Sequence, residues 1–188
     1  MTDPVNRTTG YTYDPAGRVV MVTDPAGGTT SYGYDPAGNQ TSMTDATSRV
    51  TGLAFDALNR VVGKTDPAGA KTTYGYDAAS QITSVTDPTG RKTQYAYDPA
   101  GRLASSADGA ADTSRYAYDP SGNITGITDP RGGQVQFGYD PTNRLNSRTD
   151  QNGNTTNYAY TAAGVLASTT DPLGLAIAYA EQAPSSPS

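Results

Sequence analysis

Residues 95–103 read Tyr95-Ala96-Tyr97-Asp98-Pro99-Ala100-Gly101-Arg102-Leu103, and the fold follows from how often that phrase returns. The aromatic pair comes back at Tyr11/Tyr13, Tyr32/Tyr34, Tyr74/Tyr76, Tyr116/Tyr118 and Tyr158/Tyr160, always 21 residues or a multiple of 21 away. Leu53/Phe55 and Phe137/Tyr139 fill the two gaps, and Tyr179 opens a ninth copy. All 14 Tyr and 2 Phe of the 188-residue chain fall in these two columns, with no insertion or deletion between them. A fixed period of this length is the signature of a repeat architecture.

The acids keep the same beat. One column holds Asp3, Asp24, Asp45, Asp66, Asp87, Asp108, Asp129, Asp150 and Asp171. A second holds Asp14, Asp35, Asp56, Asp77, Asp98, Asp119 and Asp140, and only Asp112 lies outside both. Most of these residues open an Asp-Pro-x-Gly phrase. Asp accepts a backbone hydrogen bond at the first turn position, Pro presets φ at the second, and Gly takes a positive φ at the fourth. Each repeat holds two such turns, for example Asp14–Gly17 and Asp24–Gly27. The intervening stretches, residues 18–23 and 28–34 among them, are rich in Val, Ile, Thr and Tyr and suit strands. No helical period is present. The pattern predicts an all-β repeat protein: an antiparallel β-hairpin meander of about 16 short strands, forming a curved or spiralling strip roughly 75 Å long and 20 Å across.

Composition narrows the chemistry. With no Cys and no His, a Cys nucleophile, a disulfide framework, a thiolate or imidazole metal site and a Ser-His-Asp triad all lack their parts. A net charge of −5 argues against a nucleic-acid binder. No apolar run is long enough to span a membrane, and residues 1–30 show no signal-peptide pattern.

The Tyr-x-Tyr-Asp-x-x-Gly-Arg-Leu phrase followed by Thr-Asp-Pro-x-Gly resembles the RHS family, or YD repeats, over roughly residues 2–180. The resemblance implies a β-strip that spirals into a hollow shell, as in bacterial polymorphic toxins, insecticidal toxin complexes and teneurins. It implies further RHS repeats and an enclosed cargo domain as partners, and a secreted or cell-surface location. Asp171-Pro172-Leu173-Gly174-Leu175 is similar to part of the family's autoproteolytic segment. Asp171, however, sits in register with eight other turn aspartates, so a turn is the stronger reading.

Other candidates were weighed on the residues. Equivalent aspartates two strands apart lie about 9.6 Å apart. That is too far to share a calcium ion, whose ligands sit about 2.3–2.6 Å away. No metal or cofactor is expected. The aromatic columns read as a packing face with wet hydroxyls rather than a sugar platform. Arg18, Arg60, Arg102 and Arg144 recur every second repeat, with Asn39, Gln81, Asn123 and Val165 between. They read as an exposed face, with an acidic partner as the alternative. The sequons at Asn6, Asn39, Asn123 and Asn154 read as coincidence. A column of Gly33, Ala54, Gly75, Ala96, Ala117, Gly138, Ala159 and Ala180 is always small, so something approaches the backbone there; the next turn of the spiral is one source.

The odd period sets a geometric condition. Side chains alternate faces every residue, so a 21-residue repeat without irregularity would flip its columns from one copy to the next. The aromatic column does not change character. One unpaired extra residue per repeat is therefore expected, as a G1-type bulge at one of the two turns. Tyr32, Tyr74, Tyr95, Tyr116 and Tyr158 would then share a face, with the Gly/Ala column on the other.

The expected organisation is a repeat strip over residues 1–180, truncated at both ends, and a disordered tail over 181–188. The expected function is a non-enzymatic section of an RHS-type shell that encapsulates or presents a toxin or other cargo. The alternatives are a secreted or cell-surface glycan- or protein-binding module, and a β filament that self-associates through its edge strands.

Overall fold

A computed structural model describes residues 8–110 and 112–179. The expected opening turn at residues 2–5, Asp3, the Asn6 sequon, Ala180 and the 181–188 tail lie outside the described residues. The chain forms two compact bodies, Met1–Gln94 and Tyr95–Ser188. The first holds β1 (Gly10–Tyr13), β2 (Val19–Thr23), β3 (Thr29–Tyr34), β4 (Gln40–Thr44), β5 (Val50–Phe55), β6 (Val61–Thr65), β7 (Lys71–Tyr76), β8 (Ile82–Thr86) and the start of β9 (Lys92–Tyr97). The second holds the end of β9, then β10 (Leu103–Ala107), β11 (Thr113–Tyr118), β12 (Ile124–Thr128), β13 (Gln134–Tyr139), β14 (Leu145–Thr149), β15 (Thr155–Tyr160), β16 (Leu166–Thr170) and β17 (Ala176–Ala178). In the first body each strand from β1 pairs antiparallel with the next, up to β8 with β9. In the second the same holds from β10 to β17. Among the described residues the protein is all β, a meander of hairpins.

Both turns of a repeat are built alike. At the first, Gly17 donates its N–H to the Asp14 carbonyl at 2.9 Å while Asp14 donates to the Arg18 carbonyl at 2.9 Å. At the second, Gly27 donates to Asp24 at 3.0 Å and Asp24 to Gly28 at 2.8 Å. The fourth residue has a positive φ, +79° at Gly17. Where the sequence departs from Gly, Ser48, Asn59, Ser80 and Asn143 take φ of 60–64° in its place. Asn tolerates that region better than most residues.

Two identical turns shift the register equally, so they cannot supply one odd residue between them. The extra residue sits inside a strand, which corrects the expected bulge at a turn. Gly33 pairs with Ser42 but Tyr34 pairs with Gln40, leaving Thr41 without an opposite number. The same slip follows Thr12, Ala54 and Gly75 in the first body. It follows Ala117, Gly138 and Ala159 in the second. One bulge per repeat restores parity. In the first body the rows Tyr11–Val22–Thr30, Tyr32–Met43–Thr51, Leu53–Lys64–Thr72 and Tyr74–Val85–Thr93 run across the strands. Thr30, Thr51 and Thr72 lie two residues before the next aromatic-column residue, so the whole column shares one face. In the second body Tyr116–Ile127–Val135, Phe137–Arg148–Thr156 and Tyr158–Thr169–Ile177 do the same.

The bulge also explains the small column on the opposite face. A bulge turns two consecutive side chains toward one opposing residue. A Cβ built on Gly75 would meet Ser84 Oγ at 2.6 Å and Thr83 Oγ1 at 3.5 Å. Gly33 faces Ser42 and Thr41 in the same way, and Gly138 faces Ser147 and Asn146. The close approach at these glycines comes from within the hairpin.

No hydrophobic side chain is buried among the described residues. Each body is a single sheet layer, and stability has to come from turns, ladders and rows of half-covered side chains.

Candidate functional site

The chemistry-bearing side chains gather at the strand end that carries the Tyr-x-Tyr-Asp turns. Asp14 shows what one turn does. Its Oδ1 accepts from the backbone of Ala16 at 3.0 Å and Arg18 at 2.9 Å, and its Oδ2 accepts from Arg18 Nε at 2.7 Å. The Arg18 N–H bond, foremost, holds the Asp14 carboxyl below the usual carboxylate range. Asp56, Asp98 and Asp140 bind Arg60, Arg102 and Arg144 alike. The Thr142 hydroxyl, the largest cause, pulls Asp140 far down, and Thr47 does so for Asp45. Asp35 and Asp119 are lowered first by the side-chain amides of Asn39 and Asn123.

The arginines do more than close their own turns. Arg18 reaches the Asp35 carbonyl of the next repeat's turn at 3.1 Å and lies over the Tyr34 ring at 4.6 Å. Arg60 reaches the Asp77 carbonyl at 2.9 Å and Ser80 Oγ at 3.2 Å, over the Tyr76 ring at 4.6 Å. Arg102 repeats this with Asp119 and Tyr118. In alternate repeats a shorter link stands in: Asn39 Nδ2 donates to Asn59 Oδ1 at 2.7 Å, and Asn123 to Asn143 at 2.8 Å. The arginine column is therefore a ladder between successive turns rather than a merely exposed face. Arg60 is only 21% exposed.

The second tyrosine of each pair completes the ladder. Tyr34 Oη donates to the Val19 carbonyl at 2.8 Å, and Tyr76 to Val61 at 2.7 Å. In the second body Tyr118, Tyr139 and Tyr160 donate to Leu103, Ile124 and Leu145. These carbonyls lie where the strand pairing has stopped. The β2–β3 register ends at Met21–Ser31 and the β6–β7 register at Gly63–Thr73. The hydroxyl supplies the donor that the backbone does not. For Tyr34, Tyr76, Tyr118, Tyr139 and Tyr160 this corrects the expectation of wet hydroxyls. The signal was in the composition, where 14 Tyr against 2 Phe points to hydroxyls in use.

The other strand end carries Asp24, Asp45, Asp66 and Asp87 in the first body and Asp108, Asp129, Asp150 and Asp171 in the second. Each accepts from the backbone N–H four residues on. Asp171, within the segment similar to an autoproteolytic site, makes the same turn as its fellows, to Leu173 and Leu175. Among the described residues no three His, Cys, Asp or Glu side chains are placed to hold a metal ion. Among the described residues no helix is long and apolar enough to cross a membrane.

A sequence model of the RHS Repeat family matches residues 1–29, 21–50, 55–91, 76–114, 101–134, 118–150 and 139–176. No curated protein matches the chain. Among solved structures, the chain is similar to a Photorhabdus luminescens Tc holotoxin pore with a point mutation in TccC3: TM-score 0.64, 18% identity, 88% of this chain and 11% of that one. It is similar to TcdB2-TccC3 without its hypervariable C-terminal region at TM-score 0.68 and 16% identity, covering 93% of this chain and 11% of that one. A TcdB2-TccC3-TEV structure gives 0.65 and 17%, covering 90% and 11%. These likenesses are of fold, and the chain spans about a tenth of the chains it resembles.

Proposed function

Because this chain belongs to the RHS repeat family, we propose that it is a wall section of a larger RHS shell that encloses or presents a cargo domain. Its role is mechanical confinement and not catalysis. The observation that carries this is the absence of any buried hydrophobic side chain among the described residues, in a sheet whose turns are nonetheless locked to one another. Such a layer is stiff along its edge and incomplete on its faces, as a wall is. Its partners are then further RHS repeats and the cargo, in a secreted or cell-surface protein. Over residues 1–180 we read one repeat strip.

The test is protease protection in the longer gene product that carries this segment. A non-repeat region that resists digestion until the repeats are unfolded supports confinement. Digestion at the same rate with the repeats folded or unfolded rejects it. A second reading, self-association through edge strands, is favoured by the exposed apolar side chains at β17, where Leu175, just before the strand, is 66% and Ile177, within it, 55% exposed. Light scattering over a concentration series separates the two.

A further inference from the structure

Gln40 is out of place in its column. The position holds Val19, Val61 and Ile82 in the first body and Leu103, Ile124, Leu145 and Leu166 in the second. Only here does an amide stand where the repeat puts an aliphatic chain. Gln40 pairs with Tyr34 across β3 and β4, which sets it on the aromatic face. There it helps line an open groove of about 340 Å³, together with Tyr11, Val19, Val22, Tyr32 and Tyr34. The register gives the groove its form. Tyr11 pairs with Val22, and Val22 with Thr30, two residues before Tyr32. Tyrosines on β1 and β3 thus flank a low valine on β2. The next two copies carry Met43 and Lys64 in the column of Val22, longer side chains that occupy such a gap.

The polar groups of the groove are only partly in use. Tyr34 Oη donates to the Val19 carbonyl at 2.8 Å, and Arg18 covers one side of the Tyr34 ring at 4.6 Å. The Tyr11 and Tyr32 hydroxyls and the Gln40 side-chain amide make no hydrogen bond within the described residues. Tyr11 is 46% exposed. None of the six lining residues is charged. The groove therefore offers ring faces and three polar side chains free to donate.

We propose that this groove binds the segment Pro184-Ser185-Ser186-Pro187 of a second copy of the chain, in the polyproline II form. A polyproline II helix makes no internal hydrogen bonds, so its carbonyls take donors from outside. The Tyr11 and Tyr32 hydroxyls and the Gln40 amide are such donors. Its pyrrolidine rings are apolar plates that dock against aromatic side chains, and its shape is set before binding. The spacing agrees as well. The helix advances about 9.3 Å per three-residue turn, and two strand spacings are about 9.6 Å. A Pro-x-x-Pro segment laid across the strands sets one proline against the tyrosine of β1 and the next against those of β3. Residues 184–187 are the one Pro-x-x-Pro in the sequence and lie outside the described residues. Residues 182–188 carry no charged side chain, as suits an uncharged groove. The pairing rests neither on the proposed wall function nor on edge-strand association.

The experiment takes the full 188-residue chain with Pro184→Ser and Pro187→Ser, which removes its own motif, and titrates it with a peptide of residues 181–188. Amide chemical shifts are the readout. Saturable shifts centred on β1–β4 are expected, with a dissociation constant on the order of 1 mM. A peptide with both prolines replaced by alanine should bind at least about tenfold more weakly. Gln40→Val restores the aliphatic residue of the column. It should keep a dispersed spectrum and weaken the peptide by about fivefold, the worth of one hydrogen bond. In the parent chain the same β1–β4 shifts should grow between about 20 μM and 1 mM protein and vanish with the two proline changes. The proposal is overturned if the peptide does not saturate by about 10 mM, if the alanine peptide binds as tightly, or if the folded Gln40→Val protein binds like its parent. It is also overturned if the parent's β1–β4 shifts are independent of concentration, or if its concentration-dependent shifts sit at β17 and survive the proline changes, which is edge pairing.

Discussion

Tyr76→Phe removes one oxygen and tests whether the tyrosine hydroxyls hold the repeats together. Tyr76 Oη donates to the Val61 carbonyl at 2.7 Å, beyond the last β6–β7 pair. The ring stays in place under Arg60, so packing and the cation–π contact at 4.6 Å are retained. The loss is then one neutral hydrogen bond to a half-covered carbonyl, about 1 kcal/mol. For a chain of this length that lowers Tm by roughly 2–4 °C. The repeat supplies the reverse experiment. Phe55 occupies the same column without a hydroxyl, and by the constant offset of fifteen residues its missing partner is the Gln40 carbonyl. Phe55→Tyr should therefore stabilise the protein by a similar amount, about 0.5–1 kcal/mol. Both changes are read by urea unfolding, as shifts of midpoint at constant slope, since neither alters the surface exposed on unfolding. If both variants unfold with the parent, the carbonyls are served by water and the hydroxyl ladder contributes nothing.

Gly75→Val should destabilise by about 1–3 kcal/mol, because its Cβ meets Ser84 Oγ at 2.6 Å; Ser84→Gly should recover most of that loss in a double-mutant cycle. An equal loss in both backgrounds would mean that Ser84 is not the obstacle. Acid should unfold the protein through its turns. Folded Asp14, Asp35, Asp45, Asp56, Asp98 and Asp140 titrate below the unfolded value of 3.8. Their contribution is complete above that value and is lost as pH falls through the folded ones. Tm should be level from pH 7 to about 5 and fall below about 4, with a shallower fall in the Asp45→Asn and Asp140→Asn variants. A fall of the same slope in those variants would contradict it. Arg60→Gln should speed hydrogen exchange in the Asp77–Ser80 turn more than in the more distant Asp24–Gly27 turn, since Arg60 binds both Asp77 and Ser80. Uniform exchange in the two turns would show that the arginines do not couple neighbouring turns.

Much of this architecture is visible in the one-dimensional pattern because each turn is specified locally. Asp14 to Gly17 carries its own acceptor, its own fixed φ and its own positive-φ residue, so the strand ends could be placed from sequence. Parity could be inferred as a need for one extra residue, but not its address. Thr41 is set by no local preference, and it becomes the odd residue because both flanking turns use up their residues identically. The ladder was hidden for a different reason. Arg18 meets Tyr34, and Tyr34 meets Val19, only after two strands have folded back, so their relation is of registry and not of spacing.

The single bulge in each repeat has a consequence at the level of genes. Because every copy returns the chain to the same face, any repeat can recombine with any other and yield a product whose columns still agree. Without the bulge, only exchanges between repeats an even number apart would survive, and half of all misaligned crossovers would turn the sheet inside out. With it, a tandem array can lengthen or shorten one repeat at a time, in steps of two strands or about 9.6 Å. A bulge on the order of one residue thus makes the array's length freely heritable.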